Sequence, residues 1–256
     1  MPVCFRYIKP VADVAITSIV WVYYIFSYLV FFSLCYFGAF LFSRNREISF
    51  QRVNHFYYRS FFFFVRIIVP GLEFRIQDEI FSIRSSVIVC NHLSYLDPIL
   101  LISLFKKHKT IVKNTFFKLP IFGWVLKTAG YLPATASGAL TPLMIEHMDN
   151  LQGYLSSGGN LFVFPEGTRS RNGKLGQFNE GAFKIAKRCN APIKVLSIRN
   201  TNIFFPPGKF LFNTCIENTI ELRLIGSIEP NYQSRGFSIS DLKGEVWSLL
   251  NNSLNS

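Results

Sequence analysis

The chain is poor in the residues that build stapled, fibrous or unstructured proteins. Its five cysteines (Cys4, Cys35, Cys90, Cys189 and Cys215) are scattered, odd in number and form no C-x-x-C pair. That excludes a secreted disulfide framework and a cysteine-built zinc site. It points to a reducing compartment where each cysteine serves as a small apolar residue. His55, His92, His108 and His147 show no ligand spacing with cysteine or with one another, so no metal is expected. Gly (16) and Pro (12) are too sparse in 256 residues for a collagen-like chain, and there is no internal repeat. Acidic residues are few, 15 against 27 Lys and Arg, for a formal charge of +12. What abounds is apolar mass, 50% of residues with 28 Phe, which excludes intrinsic disorder. Such a chain fits a protein that enters a membrane and faces something anionic. A basic balance also fits nucleic acid. A nucleic-acid surface, however, interleaves Lys and Arg with stacking aromatics. Here the aromatics lie mainly in the N-terminal segment and the apolar strands, so no nucleic-acid partner is expected.

Residues 14–42 contain no charged side chain. As a helix they reach on the order of 40 Å, and a bilayer core needs only about 20 residues. The stretch is read as one long tilted span or as a bent pair of half-embedded helices, with Gly38 the weak point. It is too long for a signal-peptide core. Arg44, Arg46 and Arg52 follow it, against Arg6 and Lys9 before it. If the segment spans, the positive-inside rule puts the C-terminal side in the cytoplasm. Residues 61–70 are a second apolar block, too short to span, with Arg59 and Arg66 beside or within it. A buried amphipathic helix and an interfacial helix on anionic lipid are both open, and the basic neighbours favour the second. The chain is accordingly divided into a membrane-anchoring helical segment, 1–70, and an α/β domain, 71–256. Its Phe, Asn and Lys usage suits a bacterial inner-membrane protein.

Past residue 70, short apolar runs alternate with helical patterns. Strands are expected at 86–90, 110–113, 160–164 and 193–198, all reading as buried. Residues 219–224 alternate apolar and polar, which predicts a half-buried strand near a sheet edge. Helices are expected at 98–105 with Asp97 as N-cap, at 142–157 as one unit, at 180–188, and at 242–250 with Ser238 and Asp241 as a capping box. This order predicts an α/β fold with a mixed, largely parallel sheet flanked by helices.

Two segments carry chemistry. Asn91-His92-Leu93-Ser94-Tyr95-Leu96-Asp97 follows the strand at 86–90, where ligands bind in open α/β sheets. The four intervening residues can turn Asp97 back onto one ring nitrogen of His92, leaving the other to take a proton. A plain N-cap and a loop histidine are the alternative. Phe164-Pro165-Glu166-Gly167-Thr168-Arg169-Ser170-Arg171 follows the strand at 160–164. Its arginines, with Lys174, suit an anion, and Glu166 suits substrate hydroxyls. The alternative is a solvated polar turn. Cys90, close to His92, raises a Cys–His hydrolase, but it ends an apolar run and reads as core.

Together, N-H-x-x-x-x-D and F-P-E-G-T-R-S some seventy residues later resemble the glycerolipid acyltransferase family typified by lysophosphatidate acyltransferases. The stretches 113–123 and 129–133 look like the family's second block, and Ala191-Pro192-Ile193 like its fourth. The resemblance covers roughly residues 70–225. It implies transfer of a fatty acyl group from an acyl-CoA or acyl carrier protein thioester to a lysophospholipid hydroxyl, with no cofactor. His92 and Asp97 would be the base pair. Glu166, Gly167, Thr168, Arg169 and Lys113 would hold the acceptor. Implied partners are the membrane lipid acceptor, an anionic membrane surface and acyl carrier protein. One departure bears on the substrate. The family's second block ends in an Arg associated with phosphate, whereas here the chain runs Pro133-Ala134-Thr135-Ala136-Ser137. Lys113, Lys118 or Lys127 would have to replace it, or the acceptor is another lyso-lipid. A lipid-binding protein that kept the fold without catalysis is the remaining alternative.

Overall fold

A computed structural model describes residues 3–135, 138–170 and 173–255. The uncharged stretch is helical throughout, as α1 (Val3–Phe26), a π-helical turn (Ser27–Phe32) and α2 (Ser33–Phe42). The irregularity lies at that turn and not at Gly38, which sits inside regular α2. A single helical glycine weakens the hydrogen-bond ladder without interrupting it. At the π turn the ladder does change, because the Ser33 N–H reaches back five residues to Tyr28 O. Lys9–Phe42 is long and apolar enough to cross a membrane, and only 11% of its most apolar window is buried in the protein.

The chain reverses at Ser43–Asn45, and the Asn45 side chain accepts a hydrogen bond from Ile48 N at the start of α3 (Arg46–Ile68). Helix α3 returns along α1 and α2, with Tyr57 Oη donating to Tyr24 O and Tyr23 stacked on Phe64 at 4.1 Å. Its inner face, from Phe50 through Tyr57 and Phe61 to Val65, is buried at helical spacing. Residues 61–70 are thus the end of a longer helix. Phe61, Phe62 and Val65 point inward, while Phe63 and Ile67 are exposed beside Arg59 and Arg66. The inner face thus has the buried environment, while the outer face leaves Phe63, Ile67 and the two arginines uncovered by the protein. One continuous apolar core runs from Val20 to Leu222 and crosses residue 70.

The remaining elements are β1 (Leu72–Ile76), β2 (Val87–Cys90), α4 (Leu96–Leu104), β3 (His108–Val112), α5 (Phe122–Thr128), β4 (Leu132–Pro133), α6 (Thr141–Asp149), α7 (Leu151–Ser156), β5 (Asn160–Val163), α8 (Gly181–Cys189), β6 (Ile193–Arg199), α9 (Thr201–Phe204), β7 (Asn218–Ile228) and α10 (Ile239–Asn255). The strands form one sheet in the order β1-β7-β6-β2-β5-β3-β4. Every neighbouring pair is parallel except β6 and β7. Helices cover both faces. In β2, Ile88 and Cys90 join the core beneath α3 and α4, while Val87 and Val89 join the one beneath α7, α8 and α10. A strand buried on both sides reads as an unbroken apolar run. The helix expected at 142–157 is two, because the Asn150 N–H is shared between Glu146 O and Met148 O and tightens the join. The strand expected at 219–224 is longer and lies second from the edge, with β1 outside it. At α10 the Asp241 N–H donates to Ser238 Oγ.

Candidate active site

Strands β2, β5 and β3 lie side by side and parallel, so the loops after Cys90, Val163 and Val112 leave from one edge of the sheet. Asn91 anchors the first loop. Its Nδ2 donates to Ile198 O and its Oδ1 accepts from Ile198 N, which extends the β2–β6 ladder by a side chain. His92 then turns toward β5, where its ring stacks on Phe164 at 4.3 Å.

His92 Nδ1 lies 2.8 Å from Asp97 Oδ2. The same oxygen accepts the backbone N–H groups of Leu93 (2.6 Å) and Ser94 (2.8 Å). Oδ1 accepts from Thr201 Oγ1 at 2.6 Å. Asp97 is fully buried, and a carboxylate out of water is tolerated only when its lone pairs are filled. A carboxylate that only accepts requires the proton on Nδ1, which leaves Nε2 as the basic nitrogen. Asp97 does not cap α4 as expected. It sits in the first turn and bends back to its own loop, because those N–H groups and the imidazole converge on it.

The second loop is tied to the first by two links and braced by a third within itself. Glu166 Oε1 accepts from His92 N at 3.0 Å, Glu166 Oε2 accepts from Gly176 N at 2.9 Å, and the Ser170 N–H donates to His92 O at 2.8 Å. Glu166 therefore bridges the two loops. Expected as an acceptor for substrate hydroxyls, it has both oxygens committed to backbone N–H groups. Gly167 has φ of +66°, and an added Cβ would come within 3.0 Å of Asn179 Nδ2, so the turn needs glycine. Thr168 is exposed. The Arg169 guanidinium lies 3.4 Å over the Tyr95 ring, which brings a cation to the rim of the His92 loop. Arg171 lies outside the described residues, as do Ala136 and Ser137 of the stretch lacking the expected Arg. Lys113 is exposed just after β3. It shares the sheet edge, but two strand spacings, about 10 Å, separate β3 from β2.

Residues 71–199 match the protein family described as Acyltransferase, which is half of the chain. The chain belongs to that acyltransferase family. It is 32% identical over 149 residues to the chloroplastic 1-acyl-sn-glycerol-3-phosphate acyltransferase LPAT1 of Arabidopsis thaliana, covering 58% of this chain and 40% of that protein. It is 34% identical to the chloroplastic 1-acyl-sn-glycerol-3-phosphate acyltransferase BAT2 of Brassica napus, covering 48% and 35%. The matched region thus spans well under half the length of these relatives. The crystal structure of the 1-acyl-sn-glycerophosphate acyltransferase PlsC from Thermotoga maritima superposes with a TM-score of 0.72 over 96% of both chains, at 21% identity. At that identity the likeness establishes the fold.

Within this acyltransferase fold, three residues escape sequence reasoning. Thr201 holds Asp97 from 104 positions away, and only the return of β6 beside β2 brings it there. Phe164 reads as the end of a strand, yet it carries the His92 ring. Tyr95 reads as a loop aromatic and forms the platform for Arg169. Cys90 is fully buried, and burial pushes its thiol pKa well up, away from the thiolate a nucleophile requires. Among the described residues no cluster of His, Cys, Asp and Glu has metal-binding geometry.

Proposed function

We propose that this chain transfers a fatty acyl group from an acyl-CoA or acyl carrier protein thioester to the free hydroxyl of 1-acyl-glycerol-3-phosphate, giving phosphatidate. The observation that carries this reading is the 2.8 Å contact from His92 Nδ1 to a buried, fully hydrogen-bonded Asp97, at a sheet edge shared with Arg169. His92 Nε2 removes the hydroxyl proton as that oxygen attacks the thioester carbonyl. The tetrahedral intermediate collapses, the C–S bond breaks, and the proton passes from His92 to the departing thiolate. The acceptor oxygen plays the part of a nucleophilic side chain, so no acyl-enzyme forms. Base assistance of this kind is worth about 10²–10⁴-fold. Arg169 holds the head group, and Glu166 keeps the two loops in register so that the acceptor oxygen is placed near Nε2. A cavity of ≈ 300 Å³ between α1 and the segment after β3, lined by Tyr24, Tyr28, Leu29, Phe116, Leu119 and Phe122, offers an apolar berth for an acyl chain.

The same reading places the protein on a membrane, proposed as a bacterial inner membrane with residues 71–256 on its cytoplasmic side. The positive bias after the apolar stretch supports that side. Helix α3 supports lipid contact independently. Arg52, Phe56, Arg59, Phe63, Arg66 and Ile67 are all exposed. At 3.6 residues per turn they fall within an arc of roughly 100°. An outward stripe of arginine and large apolar residues suits the headgroup region of anionic lipid. A second reading, a lyso-lipid without a terminal phosphate monoester, is favoured by the missing Arg near residues 134–137.

Mass-spectrometric detection of acyl transfer tests both. The purified protein receives a panel of lyso-lipids with acyl-CoA and acyl carrier protein donors, beside a His92→Ala control. A two-chain product that vanishes in the control supports the transferase, and the reacting acceptor decides between the readings. Absence of transfer to every acceptor, from protein shown to be folded, overturns it.

A further inference from the structure

A second apolar surface stands beside α1, on the segment that joins α9 to β7. Residues 206–211 (Pro-Pro-Gly-Lys-Phe-Leu) turn outward through Gly208 at φ of +78° and expose Phe210 (69%) and Leu211 (39%), with Lys209 exposed beside them. The segment is firmly attached to the helix. Asp13 Oδ1 accepts both Thr214 N and Thr214 Oγ1, Thr17 Oγ1 accepts from Phe212 N, and Trp21 stacks between Phe210 and Phe212, each at 5.7 Å. These anchors occupy one flank of α1. The exposed row Val11, Val14, Val22 and Ile25 begins on the adjoining flank, so the loop tip adjoins the helix's apolar surface, in which Ser18 turns its hydroxyl back onto Val14 O.

Helix α9 and the start of the segment hold the His92 loop. Thr201 donates to Asp97, and Phe205 O accepts from Ser94 Oγ. Between the tip and that loop runs a line of rings. Phe210 stacks on Trp21, Trp21 meets Phe205 at 6.2 Å, Phe205 meets Tyr95 at 6.3 Å, and Arg169 lies over Tyr95. An apolar tip bearing a lysine, flush with a helix that seats in lipid, has one fitting occupant.

We propose that residues 206–211 form a second membrane contact, inserting Phe210 and Leu211 into the headgroup–acyl boundary of anionic lipid while Lys209 meets its phosphates. The inference rests on the membrane reading above. It adds that the bilayer touches the rim of the active site itself, at the point where a lipid chain meets the aromatic line leading to Arg169.

The test installs the photoreactive residue p-benzoyl-phenylalanine in the full chain at Phe210, at Phe31 or at Phe81. Phe31 is exposed (63%) on the π turn of the anchoring helix. Phe81 is exposed (44%) near the start of β2, at the opposite end of the sheet from the site. Each variant is irradiated on phosphatidylglycerol–phosphatidylethanolamine vesicles, and lipid adducts are counted by intact-protein mass spectrometry. The expected yield at 210 matches that at 31 and is at least about tenfold above that at 81, the ratio that burial of one aromatic side chain supports. Adducts at 31 with a yield at 210 no higher than at 81 overturn the second contact and leave the helical anchor standing. No adduct at either 31 or 210 overturns both.

Discussion

A carboxylate in water is solvated on every side, whereas Asp97 is fully buried and receives four donors from the protein instead. That arrangement makes its chemistry unforgiving. Asp97→Asn keeps the shape but presents an N–H where the site supplies only N–H and O–H donors, so one contact becomes a clash of donors and the imidazole loses its fixed tautomer. The expected result is a fall in kcat of about 10²–10⁴-fold with KM little changed, because the defect lies in proton removal and not in binding. Steady-state acyl transfer measured over a range of acceptor concentrations checks it, and an equal effect on KM would assign Asp97 to substrate binding. Thr201→Val is milder, since it removes one hydrogen bond to a buried charge. It should cost about 1.5–3 kcal/mol of stability, read in chemical unfolding, and Thr201→Ser should restore most of it. Glu166→Gln can keep only one of its two backbone acceptor contacts. Limited proteolysis is expected to cut faster within residues 166–176, and unchanged cutting would show that the Ser170–His92 link alone secures the loop.

Element by element, α3 has two unlike faces, and packing accounts for the inner one. If the outer arginines bind anionic headgroups, each is worth about 1 kcal/mol, so Arg52→Gln, Arg59→Gln and Arg66→Gln combined should weaken binding to anionic vesicles by about a hundredfold. Binding to neutral vesicles should barely change, and flotation with the two vesicle types reads the difference. Much of this architecture is legible from local pattern. The runs at 86–90, 160–164 and 193–198 are strands because a sheet covered on both faces needs continuous apolar residues. What escapes is non-local. Strand β1 is five residues whose alternation means little until β7 lies beside it. The helix at 142–157 breaks at Asn150 through a shared backbone hydrogen bond that no side chain announces. At the site, the spacing lets Asp97 turn back onto the His92 ring, and the two do meet. The sequence hides that Glu166 is spent on backbone, because a carboxylate in a glycine-rich turn looks free until its donors are located.

Across the whole molecule, the N-terminal helices and the sheet are joined by one directed line of buried hydrogen bonds. Tyr36 Oη donates to Asn54 Oδ1, Asn54 Nδ2 to Tyr131 Oη, Tyr131 Oη to His108 Nε2, and His108 Nδ1 to Phe105 O. Gln51 adds a parallel tie, giving a hydrogen bond to Ala129 O and accepting from His108 N and Tyr154 Oη. The line requires a neutral His108 with its proton on Nδ1, and burial pushes its pKa down to about 3. An unfolded histidine titrates near 6.5. Between those values the unfolded chain binds a proton that the folded chain refuses, so stability is full above about pH 6.5 and is lost as pH falls toward 3. At about 1.4 kcal/mol per pH unit the loss reaches about 2 kcal/mol by pH 5. His55 and His147, also pushed down by burial, add to the same slope. His108→Asn cannot bind that proton in either state. It should lower stability at pH 7, because the line is cut, yet show a shallower decline from pH 7 to pH 5 than the native chain. Chemical unfolding at three pH values separates the effects. An unaltered slope in His108→Asn would move the acid sensitivity to His55 and His147, leaving the line as packing without a titratable link.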